Sequence, residues 1–487
     1  MGDSPVNADQ KIRYHVLKYS ALVTGVLALT APLSAAADEW TFTPYVGISE
    51  QFTDNAFGTP SNEKSDFVTS LDAGITIEGE SRRASLNASY NISQDYYAKY
   101  HELDGYTQEM LGIGNVELFE DHVFVDGRLS FTEETLARSG NQAATDRTIG
   151  SDRTQVFNGQ ISPYYVQNFG NWAAGIARYS YSETRFSEPN VGGTSIEPED
   201  RKTHEFRVTV ESGTRFADYN WTWDAGTVKS EADNGDEFNQ NSTTGTIQYP
   251  LNSRFALLGT LGYDDFAVDN VDDDEISGVF GGAGLRWTPS PRTDVSVQLG
   301  YRYGDPVVDM DAEYALTSLD TLTASYKVTV ATADQSLTNT ELFDPQGQLY
   351  KPNFVITDYV DDVTKSSTLA LEWVGTRERN TYSVTSSLIK REFLSDGSDD
   401  QVVSVDGKYN RQLTFRANAG MTAGYSQVLE GRNALAKDTT YQLGLYYNYD
   451  FGRGFIASAS YNFFDRDSAD GSDLRENAIT LSLTKSF

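Results

Sequence analysis

Cysteine is missing from all 487 positions. No disulfide can staple the chain, and stability cannot depend on oxidative folding. A chain of this size can stabilise itself by burial alone. Positive charge is also short: 38 Lys and Arg stand against 70 Asp and Glu, for a net charge of −32. Such a surface repels phosphate backbones and excludes a nucleic-acid partner. Beyond residue 37 no stretch is apolar enough to span a bilayer as a helix. What abounds is aromatic, 29 Tyr and 25 Phe, far too much for a disordered acidic chain.

Residues 1–37 differ from the rest. Lys11, Arg13 and Lys18 precede the apolar run "ALVTGVLALTAPL", and Ala35 and Ala37 supply a small-x-small cleavage site. This is the layout of a secretory signal peptide. An anchor helix fits less well, because the run falls short of the ~20 residues a spanning helix needs. The mature chain, 38–487, then carries −33 once the leader's surplus of one positive charge is removed.

From Asp38 onward strand follows strand. In "TDVSVQLGYRYG", Val295, Val297, Leu299, Tyr301 and Tyr303 alternate with Ser296, Gln298, Gly300 and Arg302. "DTLTASYKVTV" sets Leu322, Ala324, Tyr326, Val328 and Val330 against Thr321, Thr323, Ser325, Lys327 and Thr329. "TFRANAGMTAGY" and "YQLGLYYNYDF" repeat the pattern. Each run is long enough to cross a bilayer as a tilted strand.

Connections alternate in length. Short turns such as "EGESRR", "LFEDH", "TPSPRT" and "DFGRG" follow every second strand, and longer polar loops such as "SEPNVGGTSIEPED" fall between them. That predicts an all-β fold: a closed antiparallel transmembrane β-barrel with short periplasmic turns and long extracellular loops, in the bacterial outer membrane. Counting hairpins gives about 22 strands, within a range of roughly 18 to 24. Trp172, Trp287, Trp373, Phe415, Phe451, Phe455 and Phe487 lie near short turns, while Tyr301, Tyr303, Tyr425, Tyr461 and Phe463 lie toward the opposite strand ends. They predict two aromatic belts. A soluble sandwich or propeller would share the alternation, but no blade-length repeat is visible.

The chain closes on "ENAITLSLTKSF", in which Ile479, Leu481, Leu483 and Phe487 point one way. A closed barrel must pair its last strand with its first, since bare edges cannot face lipid. The alternating end with its final Phe resembles the assembly signal read by the outer-membrane insertion machinery, which that resemblance makes a partner. At the other end, "FTPYVGISEQFTDNAF", with Asp54 and Asn55 at the first loop, resembles the start of the β-barrel porin type two family. "LRWTPSPRTDVSVQLGYR" and "YALTSLDTLTASYKV" are similar to that family's later strand-turn-strand units. The resemblance implies association with exopolysaccharide or capsule systems, hence polymer export with periplasmic components.

About 22 strands enclose a lumen too wide for side chains to fill. Arg207, Arg286, Arg302, Lys327, Glu372 and Arg416 fall on the inward face. Scattered basic groups on a polar wall suit a hydrated glycan, including an anionic one; equally, they pair with neighbouring acids around water. The longest connection, about Ala333 to Lys365, includes "ELFDPQGQLYKPNF". A loop of this length is predicted to fold inward as a gate. Asp269, Asp272, Asp273, Asp274 and Glu275 could hold a hard cation, but they lack the spacing of a calcium loop and read better as a solvated outer loop or a divalent bridge to lipopolysaccharide. His101, His122 and His204 have no evident Ser partner, and no phosphate loop or zinc spacing appears. Neither an enzyme nor a cofactor is expected. A diffusion porin and an adhesion barrel remain open. A plugged siderophore-type receptor is disfavoured because no globular plug precedes the first strand.

Overall fold

The computed structural model describes residues 39–135, 144–145, 147, 153–187, 198–268, 276–338, 359–432, 437–469 and 473–487. The expected leader lies outside them. Among the described residues, 22 strands pair antiparallel with their sequence neighbours, and the last pairs with the first. The strand number matches the hairpin count.

The first third comprises β1 (Glu39–Thr53), β2 (Asp66–Glu80), β3 (Ala84–Tyr97), β4 (Gly105–Phe119), β5 (Val123–Thr135), β6 (Arg153–Asn168) and β7 (Ala173–Phe186). The middle comprises β8 (Arg201–Ser212), β9 (Asn220–Ala232), β10 (Glu237–Pro250), β11 (Phe255–Val268), β12 (Gly278–Ser290), β13 (Thr293–Arg302), β14 (Asp305–Ala315) and β15 (Asp320–Thr332). A short helix, α1 (Ala333–Thr338), follows. The circle is completed by β16 (Val363–Arg377), β17 (Asn380–Phe393), β18 (Asp399–Thr414), β19 (Ala417–Glu430), β20 (Asp438–Gly452), β21 (Phe455–Ser468) and β22 (Leu474–Ser486).

Two-residue periodicity decides which side chains meet lipid. On β1, Phe42, Val46, Ile48 and Phe52 point outward, and Ile48 sits across from Leu483 of β22. Thr43, Tyr45, Ser49, Gln51 and Thr53 point inward. Leu481 is 60% exposed and Leu261 66%, which is tolerable only against hydrocarbon. Near the short turns the aromatics form a belt: Trp172 packs edge-on against Phe216 and Trp221, and Phe415, Phe451 and Phe487 are exposed.

Closure uses nine residue pairs, from Tyr45 opposite Ser486 to Thr53 opposite Ala478. The Phe487 N–H donates to the Pro44 carbonyl at 2.9 Å. Lys485 reaches sideways, donating to the Arg453 carbonyl at 2.8 Å and covering the Phe487 ring at 4.6 Å. The β1–β22 ladder thus leaves no open sheet edge among the described residues, as hydrocarbon requires.

The Asp54–Asn55 pair fastens this seam from above. Asp54 accepts the Asn477 N–H and side-chain amide, both at 2.7 Å. Fully buried Asn55 donates to the carbonyls of Thr59 and Arg475, at 2.9 and 3.2 Å.

Two details depart from the sequence reading. Tyr303 is not a belt residue: with Gly304 it forms the positive-φ turn between β13 and β14, and its ring is buried. The run "TFRANAG" is interrupted by a tight turn at Phe415 and Arg416 before β19 begins.

Candidate functional site

The inner wall is polar, and four of the basic groups that the alternation places on it are paired with acids. Arg302 forks onto Asp264 at 2.6 and 3.0 Å. Arg286 donates to Asp294 through Nε at 2.8 Å. Arg207 reaches Glu205 and Asp224, each at 2.9 Å, and Lys327 lies 3.3 Å from Asp311. Glu372 shares the inner face, between Thr323 and Thr385. Arg416 does not: it occupies the periplasmic β18–β19 turn with its guanidinium over the exposed Phe415 ring. The strand alternation fails to place it because the turn carries no Gly, Pro or Asn. With these four bases paired to acids, none of them offers a free positive charge to an anionic glycan.

Burial of inward side chains changes sharply along the barrel axis. On β1, Thr41 near the periplasmic end is exposed, whereas Ser49, Gln51 and Thr53 are 3%, 1% and 1% exposed. On β22, Ser486, Thr484 and Ser482 are half-buried, while Ala478, Glu476 and Leu474 are buried. β3 repeats the trend, from exposed Ser85 to buried Ser93, Asp95 and Tyr97. Something fills the extracellular end and leaves the periplasmic end wet.

Two connections supply that filling. The β5–β6 connection reaches the inner faces of β1–β3 and β22. The Ala144 N–H donates to Glu476 at 2.7 Å, and Gln51 donates to Thr145 at 2.9 Å. Arg147 lies 3.9 Å from Asp95 and accepts the Tyr97 hydroxyl at its carbonyl.

The β15–β16 connection crosses to the wall formed by β6–β8. Asn158 donates to the Thr338 hydroxyl at 2.7 Å. Arg201 of β8 donates to Asp361 at 2.8 Å, and its Nε lies 3.3 Å from Asp334 of α1. Phe186 meets Tyr359 edge-on, with centroids 5.2 Å apart. Burial holds Asp334 and Asp362 above the ordinary carboxylate range, outweighing the lowering pull of Thr332 and Arg201 on the first and of Ser395 on the second.

The path of β15 explains the crossing. Its ladder with β14 runs only from Met310–Tyr326 to Ala315–Thr321, while its ladder with β16 continues up to Thr332–Val363. Above Tyr326 the β15–β16 hairpin leaves the wall and turns inward over the tight Tyr303–Gly304 turn. Val330 and Val363 bury against Tyr303, Phe266, Phe238 and Val228, the last three being inner-face residues of β11, β10 and β9. In a water-filled lumen, covering a Val side chain contributes about 1.5 kcal/mol or more. Lys365 adds a bond to the Tyr303 carbonyl at 3.3 Å and pairs with Asp305. The expected inward-folding loop is therefore seen at its two ends, through α1 and through Tyr359–Asp362. Its centre, 339–358, lies outside the described residues. Val363–Lys365 already belong to β16.

Asp269, Asp272, Asp273, Asp274 and Glu275 also lie outside the described residues. His101 sits in a 3-10 turn 3.4 Å from Asp104, His122 lies at a periplasmic turn, and His204 Nδ1 meets the Tyr179 hydroxyl at 2.7 Å on the outer face.

Residues 32–218 match the model of the family described as Putative beta-barrel porin 2, the family that the first strand and loop resemble. No curated protein matches the sequence. Among solved structures, the FrpB iron transporter from Neisseria meningitidis (F5-1 variant) superposes with a TM-score of 0.50 at 13% identity, over 91% of this chain and 82% of that one. The siderophore receptor PirA from Acinetobacter baumannii gives 0.51 at 7% identity, over 91% and 80%. At such identities the likeness is one of fold: a 22-stranded outer-membrane barrel.

Proposed function

We propose that this outer-membrane barrel of the β-barrel porin 2 family is a gated conduit for a hydrated glycan, serving export of exopolysaccharide or capsular polymer from the periplasm. The observation that carries the reading is the one-sided burial of the inner wall. Wet polar surface faces the periplasm, and the chain's own connections occupy the extracellular end. A permanently open diffusion porin has no use for a helix ion-paired across its mouth. An exporter does, because an idle wide lumen would leak solutes through the outer membrane. Unlike the anionic cargo suggested by the basic residues alone, the paired wall suits an uncharged polymer.

Swelling of liposomes carrying the purified chain tests this. The intact protein should exclude small sugars, and a variant with Ala333–Asp362 replaced by a short Gly-Ser turn should admit them. Free uptake by the intact chain would favour the diffusion porin instead.

A further inference from the structure

Most inward side chains in the wet half of the lumen are small and polar, which makes one pair of rings stand out. Phe124 of β5 and Tyr164 of β6 are partners in the ladder, with ring centroids 5.1 Å apart and planes at 14°. Both lie on the inner face near the periplasmic rim, half-buried, so their uncovered surface meets lumen water. Three neighbours fix the Tyr164 end. The Arg178 guanidinium sits 4.1 Å from the Tyr164 centroid, Asp126 pairs with Arg178, and Asn115 donates to the Tyr164 hydroxyl at 3.3 Å. A recess of about 990 Å³ adjoins the pair through Asn115, Asp126 and Arg178, and its lining also includes Glu78, Asn87, Arg128 and Gln160.

We infer that the Phe124–Tyr164 pair is a saccharide-docking platform at the periplasmic entrance, selective for neutral glycans. The inference rests on the conduit reading for how sugar reaches the site. A pyranose ring presents an apolar C–H face and a rim of hydroxyls. Flat aromatic surface beside carboxamides and carboxylates matches both, which is the general composition of a ligand site. An ion or small polar solute gains nothing from wet rings. Charge decides between glycans. The recess carries Glu78, Glu80 and Asp126 against Arg128 and Arg178, and Arg178 is engaged by Asp126, so a polyanion meets net repulsion.

Isothermal titration of the full chain in detergent tests the site, with maltohexaose and cellohexaose as neutral probes and hexagalacturonate as the anionic one. At least one neutral probe should bind at millimolar concentration and the anion more weakly. Phe124→Leu and Tyr164→Leu, which keep apolar volume without a ring, should each weaken binding about tenfold, the value of one good ring contact. Tyr446→Leu, an inner-face change on β20, should leave it unaltered, and heat-modifiable migration of every variant verifies folding. Absence of heat from both neutral probes, tighter binding of the anion, or leucine variants that bind like the parent would each overturn the site. Sugar exclusion in the swelling assay together with failed titration would remove the platform and leave the conduit.

Discussion

Arg201 of β8 and Asp334 of α1 meet with 3.3 Å between nitrogen and oxygen, both side chains over nine-tenths buried. They come from elements seven strands apart in the ring, and the same guanidinium also holds Asp361. Removing one member of a buried pair leaves uncompensated charge and costs about 3–5 kcal/mol. Arg201→Met should therefore release the β15–β16 connection and produce frequent open events in planar bilayers. The Arg201→Asp, Asp334→Arg exchange should restore part of the closure. Equal opening in the parent and the single variant would remove this latch.

Acidity should tighten the docking of the same connection. Asp334 and Asp362 have pKa values raised by burial when docked. A carboxyl with a higher pKa docked than free favours docking most below its free value, and loses that contribution as pH rises through the docked value. Open probability should fall as pH drops from neutral toward about 4, the ordinary carboxyl value. A rise in opening over that interval would contradict the assignment.

The inward turn of β15–β16 over the β13–β14 tip can be locked. The chain has no cysteine, so Asp305→Cys with Lys365→Cys introduces a single target for a short bis-maleimide. The cross-linked protein should stay closed even with Arg201→Met added. Single-channel recording before and after linkage reads this directly, and unchanged opening in the linked double variant would place the gate elsewhere.

Seam residues should affect assembly. Asp54→Ala removes both acceptors for Asn477, and each lost bond to a charged group is worth about 1.5–3 kcal/mol. Heat-modified migration on gels should begin at a lower temperature. Deleting Phe487 should instead reduce the yield of folded barrel in the membrane, with the melting of the surviving fraction little changed. A Phe487 deletion that assembles at the parental level would exclude its role as part of an assembly signal.

Much of the barrel was legible because strand alternation and turn spacing are local. Ile479, Leu481 and Leu483 declare their outward face from six residues of sequence, and the alternation of short and long connections gives the strand number. Residues that depend on long-range packing were not legible. Val330 continues the outward stripe of β15, yet it is buried because the hairpin leaves the wall, and nothing within its own strand encodes that. Tyr303 fits a belt by position but lies in a tight turn under the hairpin. Arg416 fits the inner face by parity until a turn of Phe and Arg interrupts it. The Arg201–Asp334 pair joins two segments that have no pattern in common, and Phe124 and Tyr164 look like ordinary barrel aromatics until their register places them side by side in the lumen.

The central claim is that the chain's own connection closes a wide polar lumen at its extracellular end. Single-channel conductance of the parent against the variant with Ala333–Asp362 replaced by a short turn measures it most directly. Rare, small openings in the parent and large stable steps in the variant are the predicted outcome. Identical conductance in the two proteins would contradict it.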